Sequence, residues 1–117
     1  MPWALRDKAR PLLRSGRGFV LNLDDSESGR HGTHWVAVRR MGSTLLYADP
    51  FGTELNGYPP IEIDIYPHRI VNSRCFQDPL SNTCGYYAYR FAKTMDGFED
   101  VPTQKEMEHA LDTNPVD

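Results

Sequence analysis

The chain has 117 residues, 39% of them apolar and 25% charged, and a formal charge of −3. This is the length and make-up of one globular domain. Two cysteines exclude a disulfide framework, and no apolar run approaches the ~20 residues that span a bilayer.

The charge is uneven. Residues 1–18 carry Arg6, Lys8, Arg10, Arg14 and Arg17 against Asp7, a net +4 that leaves −7 for residues 19–117. The basic N-terminal stretch offers contact to nucleic acid or to an acidic partner. The plainer reading is a solvated amphipathic helix, and it is preferred because the acidic remainder has no basic surface to extend the stretch. "WALRDKARPLLR" is a weak helix candidate interrupted at Pro11, and "SGRG" breaks it. The start lacks an unbroken apolar segment and is not a signal peptide, so an intracellular chain with reduced thiols is expected. The division is therefore a basic arm or helix over 1–18 and a single domain over 19–117.

"FVLNL", Phe19 to Leu23, reads as a strand, followed by the polar turn "DDSESGRHGT". "HWVAV", His34 to Val38, is a second strand, apolar on both faces apart from His34. "RRMGS" reads as a hairpin turn and "TLLYAD", Thr44 to Asp49, as a third strand. Pro50 ends it, because proline supplies no ladder donor. "IEIDIY" alternates strictly and reads as a strand or a short irregular stretch. "RIVNSRCF", Arg69 to Phe76, reads as a further strand. From Cys84 the apolar residues fall at Cys84, Tyr87, Ala88, Phe91, Ala92 and Met95, the stripe of a helix facing a core. Asn82 or Thr83 supplies its N-cap, and Gly97 its C-terminal cap. Thr103 and Glu106 form a capping box that opens a short last helix. The fold class is α+β: a small, mainly antiparallel sheet packed on a helix that starts at Cys84.

Cys84 at a helix N-terminus sits near unpaired N–H groups and the positive end of the helix dipole, which favour a nucleophilic thiolate. Taken alone, a small buried cysteine is the commoner explanation. Gly85 removes a side chain where a substrate carbonyl would approach the Cys84 N–H. A thiol nucleophile needs a base, and the chain has His31, His34, His68 and His109. His109 and His68 lie in polar surroundings, and His31 lies in a glycine-bearing turn. His34 opens an apolar strand, from which a rigid sheet can aim an imidazole into a cleft. In an antiparallel pair the start of one strand lies beside the end of its partner. This places Asp49 next to His34, where it can orient the ring. Acyl transfer also needs an oxyanion hole. The Cys84 N–H is one donor, and Gln77, in the loop before the nucleophile, can bring a side-chain amide.

"VLNLDDSESGRHGTHWVAV", "LLYADPFG" and "QDPLSNTCGYYAYRF" together resemble the adenovirus-type maturation proteases (the adenain family) and, more distantly, the SUMO proteases. The order His, Asp, Gln, Cys-Gly is the same, here His34, Asp49, Gln77, Cys84 and Gly85. An aromatic residue, Trp35, follows the histidine, and Pro-Phe-Gly, Pro50 to Gly52, follows the acid. The match covers residues 19–95. The resemblance implies a compact papain-like cysteine peptidase fold, with His34 as general base, Asp49 as its orienter, Gln77 as oxyanion donor and Cys84 as nucleophile. Trp35 and Gly85 would support the substrate groove. It implies a protein or peptide substrate, a viral precursor, and residence in the host cytoplasm or nucleus or in the virion. No metal or other cofactor is required. Adenain uses a peptide and DNA as activators, but no residue here carries those sites over, and Cys75 is most simply a core residue. The chain is much shorter than adenain, so reduced lobes around the groove are expected. A deconjugating protease for ubiquitin-like tails and a catalytically silent binding module are the rival readings.

Overall fold

The computed structural model describes residues 3–5, 8–22, 34–50, 66, 68–72 and 84–113. Its elements in chain order are β1 (Trp3–Leu5), α1 (Arg10–Ser15), β2 (Phe19–Asn22), β3 (Trp35–Met41), β4 (Thr44–Ala48), β5 (His68–Val71), α2 (Cys84–Met95) and α3 (Gln104–Thr113). The five strands form one sheet in the order β1-β2-β3-β4-β5. The radius of gyration, 12.9 Å, matches the ~13 Å of a compact domain of this length. Among the described residues, no helix is long and apolar enough to cross a membrane.

The central strands read as near-continuous apolar runs because both faces of the sheet are covered. On one face Phe19, Leu21, Val36, Val38, Leu45 and Tyr47 pack with Ala9 and Leu13 of the α1 segment. On the other, Val20, Ala37, Leu46 and Ala48 pack with Ala88, Phe91, Ala92 and Met95 of α2 and with Met107 and Leu111 of α3. Strand alternation alone deals the residues to the two layers. The predicted stripe of α2 is the buried face: Ala88, Phe91, Ala92 and Met95 are wholly buried, and Tyr87 packs beside them.

The sheet is mixed rather than mainly antiparallel. β2–β3 and β3–β4 are antiparallel, whereas β1–β2 and β4–β5 are parallel. Parallel neighbours need a long crossover. The segments 6–18 and 49–67 are long enough to supply one, and hairpin logic does not see them. Trp3–Leu5 is accordingly an edge strand and not part of a helix over 3–14. The helix begins at Arg10, with Pro11 in its first turn, where a missing N–H costs nothing.

β3 runs on to Met41, past the expected end at Val38, and the turn shrinks to Gly42–Ser43. Gly42 has φ 61° and Ser43 is not in the positive region, the pattern of a turn with glycine at its first central position. The reason for the longer strand is visible in its two arginines. Arg39 donates to the carbonyls of Met95 and Phe98 at the end of α2 and to Gly16. Arg40, on the opposite face, donates to the carbonyls of Leu13 and Arg14 at the end of α1. The carbonyls that helix ends leave without intrahelical partners are thus met by adjacent residues of one strand.

β5 starts one residue earlier than expected and ends at Val71. Residues 61–65 and 73–76, also read as possible strand, lie outside the described residues. Gly97 is not left-handed; α2 closes through tight bonds from Gly97 N–H to Thr94 O and from Phe98 N–H to Met95 O. The capping box of α3 is present in both directions. Thr103 N–H donates to Glu106 Oε1 at 3.0 Å, and Glu106 N–H donates to Thr103 Oγ1 at 3.1 Å. The bond from Thr103 N–H holds the exposed Glu106 carboxyl below its ordinary value, so the cap is intact above the carboxylate range and is lost as pH falls through it.

Helix α2 lies so close to β2 that a Cβ on Gly18 would sit 2.4 Å from the Ala92 carbonyl oxygen, a backbone atom. Gly18 N–H also donates to Asp96 Oδ1 at 2.7 Å. Gly18→Ala is expected to cost about 1–3 kcal/mol through forced backbone displacement. In urea the midpoint should fall by roughly 1 M, given a slope of ~1–3 kcal/mol/M. An unchanged midpoint would mean that strand and helix do not meet at this point.

Candidate functional site

His34 lies one residue ahead of β3 and Asp49 one residue beyond β4. In the β3–β4 register Ala37 is opposite Ala48. Carried one step further, the register aligns Asp49 with Val36, two residues from His34 and on the same face by alternation. Diagonal neighbours of this kind are within reach of a long or aromatic side chain. His34 Nε2 and Asp49 Oδ2 are 2.9 Å apart. The carboxylate is nearly enclosed, at 5% side-chain exposure, whereas the imidazole, at 19%, keeps an open side. A carboxylate accepts from Nε2–H and so selects that tautomer, leaving Nδ1 as the basic ring nitrogen.

Asp49 is itself held. Its N–H donates to Asn72 Oδ1, and Asn72 Nδ2 donates to its carbonyl, both at 2.7 Å. Tyr47, on the same strand, has its phenol pushed well above the ordinary value by burial, with the Asp49 charge adding in the same sense. It therefore stays neutral beside the carboxylate.

Cys84 is the first residue of α2. The residue after it, Gly85, faces Trp35, the residue after His34: a Cβ on Gly85 would stand 3.6 Å from Trp35 Cδ1 and 3.9 Å from the Trp3 ring. The chain neighbours of the expected base and nucleophile therefore pack on each other. Those distances are ordinary contacts, so the surrounding side chains do not themselves demand glycine at 85. Trp3 meets Trp35 edge-on, with centroids 5.0 Å apart, and stacks over Tyr89 at 6.5 Å. Among the described residues, Trp3 and Tyr86 are the large aromatics left exposed.

No family model matches the chain, and no curated protein matches it.

Of the expected site, the structure joins His34 to Asp49 and brings Trp35 against Gly85 beside Cys84. Gln77, the expected oxyanion donor, lies outside the described residues, as do Cys75 and His31. His68 pairs with Thr44, at the far end of β4 from Asp49, about 16 Å away at the ~3.3 Å rise of a strand. His109 is exposed on α3. Neither competes with His34 for the carboxylate. Among the described residues, no group of three or more His, Cys, Asp or Glu side chains could hold a metal ion.

Two contributors escape sequence reasoning. Trp3 sits in the stretch read as a basic arm, yet the parallel pairing of β1 with β2 carries it to the start of α2. Asn72 gives one weak signal, an asparagine closing the apolar run "RIV", where a side-chain amide can replace a missing backbone partner.

Proposed function

We propose that the chain is a cysteine peptidase of the adenain type, cleaving viral precursor proteins. The observation that carries this reading is the His34–Asp49 bond at the end of the sheet where the first turn of α2, opened by Cys84, packs. A helix N-terminus and a carboxylate-oriented imidazole are the two features that turn a thiol into a nucleophile at neutral pH.

In the proposed reaction Nδ1 of His34 takes the Cys84 proton, giving a thiolate–imidazolium pair. The sulfur attacks the scissile carbonyl carbon, and the oxyanion is met by the Cys84 N–H and the Gln77 amide. As the C–N bond breaks, the imidazolium protonates the leaving amine. Water then gives a proton to His34, adds to the thioester carbon and expels the thiolate, and the acid product leaves. Asp49 keeps the ring in the productive tautomer throughout and does not itself exchange protons.

The test is cleavage of a mixed-sequence peptide library, read by mass spectrometry. Wild type is expected to cut at a restricted set of sites, and Cys84→Ala to lose at least ~1000-fold of the rate. Cleavage confined to fusions that carry a ubiquitin-like protein ahead of the scissile bond would assign the deconjugating reading instead. No cleavage, together with an unreactive Cys84, would leave the fold as a binding module.

A further inference from the structure

The β4–β5 ladder ends with Tyr47 opposite Val71. Beyond that rung Asn72 carries the pairing on with its side chain. Oδ1 accepts from Asp49 N–H, and Nδ2 donates to the Asp49 carbonyl. Asn72 is 1% exposed and Asp49 3%, so neither bond is a surface accident.

A carboxamide offers an acceptor and a donor on one rigid plane. A carboxylate lacks the donor, and an apolar side chain of the same size lacks both. Two bonds to the N–H and C=O of a single residue hold the peptide units on either side of its Cα. At Asp49 this fixes the direction of the Cα–Cβ bond, and with it the carboxylate oxygen that meets His34 Nε2 at 2.9 Å.

We infer that Asn72 is a positioning residue for the candidate base: by clamping the Asp49 backbone it sets the tautomer and orientation of the His34 ring. The structural part of this inference stands alone, and its catalytic consequence rests on the peptidase reading.

The experiment is long-range 1H–15N NMR of the full 15N-labelled chain carrying Cys84→Ala, which removes the thiolate that would hold the ring as an imidazolium, at about pH 8, where a histidine is ordinarily neutral. The His34 signals are identified by their loss when His34→Gln is added. The Cys84→Ala chain is expected to show one tautomer, protonated at Nε2. Asn72→Ala and the isosteric Asn72→Asp, in the same background, should both lose it to an averaged or Nδ1-protonated form; the second variant decides the matter where the first does not fold. Val71→Ala, a loss of packing at the same strand end, should keep the Nε2–H tautomer. A fixed Nε2–H tautomer in either folded Asn72 variant, or no fixed tautomer with Asn72 intact, overturns the inference.

Iodoacetamide labelling of the same Asn72 and Val71 variants with Cys84 intact separates the role of Asn72 from the peptidase reading. Asn72→Asp should slow Cys84 labelling on the order of 10-fold or more through misplacement of the base, with Val71→Ala close to wild type. A wild-type Cys84 that reacts as an ordinary thiol would sink the peptidase reading, while the tautomer comparison would still decide the role of Asn72.

Discussion

His34→Ala is expected to abolish an excess reactivity of Cys84 toward iodoacetamide that the peptidase reading predicts for wild type at about pH 5.5. The size of the effect follows from two opposing terms. A free thiol with a pKa of ~8.5 is only about 0.1% thiolate at that pH. A thiol paired with an imidazolium at a helix N-terminus, with a pKa of ~5.5, is about half thiolate. The gain in thiolate is thus about 500-fold. A thiolate three units less basic is also a poorer nucleophile, by about 20-fold at a Brønsted slope of ~0.45. The net expectation is an excess of roughly 25-fold over an ordinary thiol. Glutathione in the same mixture is the reference for an ordinary thiol, and mass spectrometry reads it and the Cys84 peptide at once. The excess should shrink as pH rises and ordinary thiols ionise, so the Cys84 profile is flat where that of glutathione climbs tenfold per unit. Labelling of Cys84 no faster than glutathione in wild type at pH 5.5, or an excess that survives in His34→Ala, would remove the imidazole from the chemistry.

Phe91→Ala is expected to cost about 3–5 kcal/mol, the range for deleting a fully buried phenyl ring. Phe91 is the largest wholly buried side chain of α2 and packs among Val20, Ala37, Leu46 and Met107, with the Tyr87 ring at 6.0 Å. A domain of this size has only about 5–15 kcal/mol in hand, so the variant should sit near the edge of folding. At roughly 4 °C per kcal/mol its melting midpoint should fall by about 12–20 °C. Phe91→Leu retains most of the volume and should lose less than half as much. Val101→Ala, at an exposed position, should stay within ~0.5 kcal/mol of wild type. Because α2 begins at Cys84, any excess labelling of that residue should vanish with the melting of this core. Circular dichroism melts of the three variants check the ranking, and a Phe91→Ala midpoint within ~4 °C of wild type would contradict the packing of α2 on the sheet.

What could be read ahead of the structure divides along one line. The α2 stripe, the α3 capping box and the layering of β2, β3 and β4 all depend on spacings of one to eleven residues. Helical and strand periodicity translate such spacings directly into faces. The approach of His34 to Asp49 belongs here too, since a tight hairpin makes the start of one strand and the end of the next neighbours by construction. Arg39 and Arg40 read locally as a turn, because their reason for being in a strand lies in carbonyls at the ends of α1 and α2, at separations of 26 to 59 residues. Residues 3–5 read as helix for a similar cause. A three-residue segment has no periodicity of its own, and its strand conformation is dictated by the β2 edge on which it pairs.

Local spacing accounts for an α+β chain, the helix that opens at Cys84, the hairpin that delivers a histidine to a carboxylate, and which side chains enter the two core layers. These follow from local covalent geometry and from the cost of leaving apolar faces in water. Long-range packing sets the parallel flanks of the sheet, the arrival of Trp3 beside Gly85, and the Asn72 clamp behind Asp49. Each joins segments whose separation along the chain carries no periodic signal. Each arises because a backbone edge or a buried N–H and C=O takes whichever donor and acceptor the folded packing brings within reach.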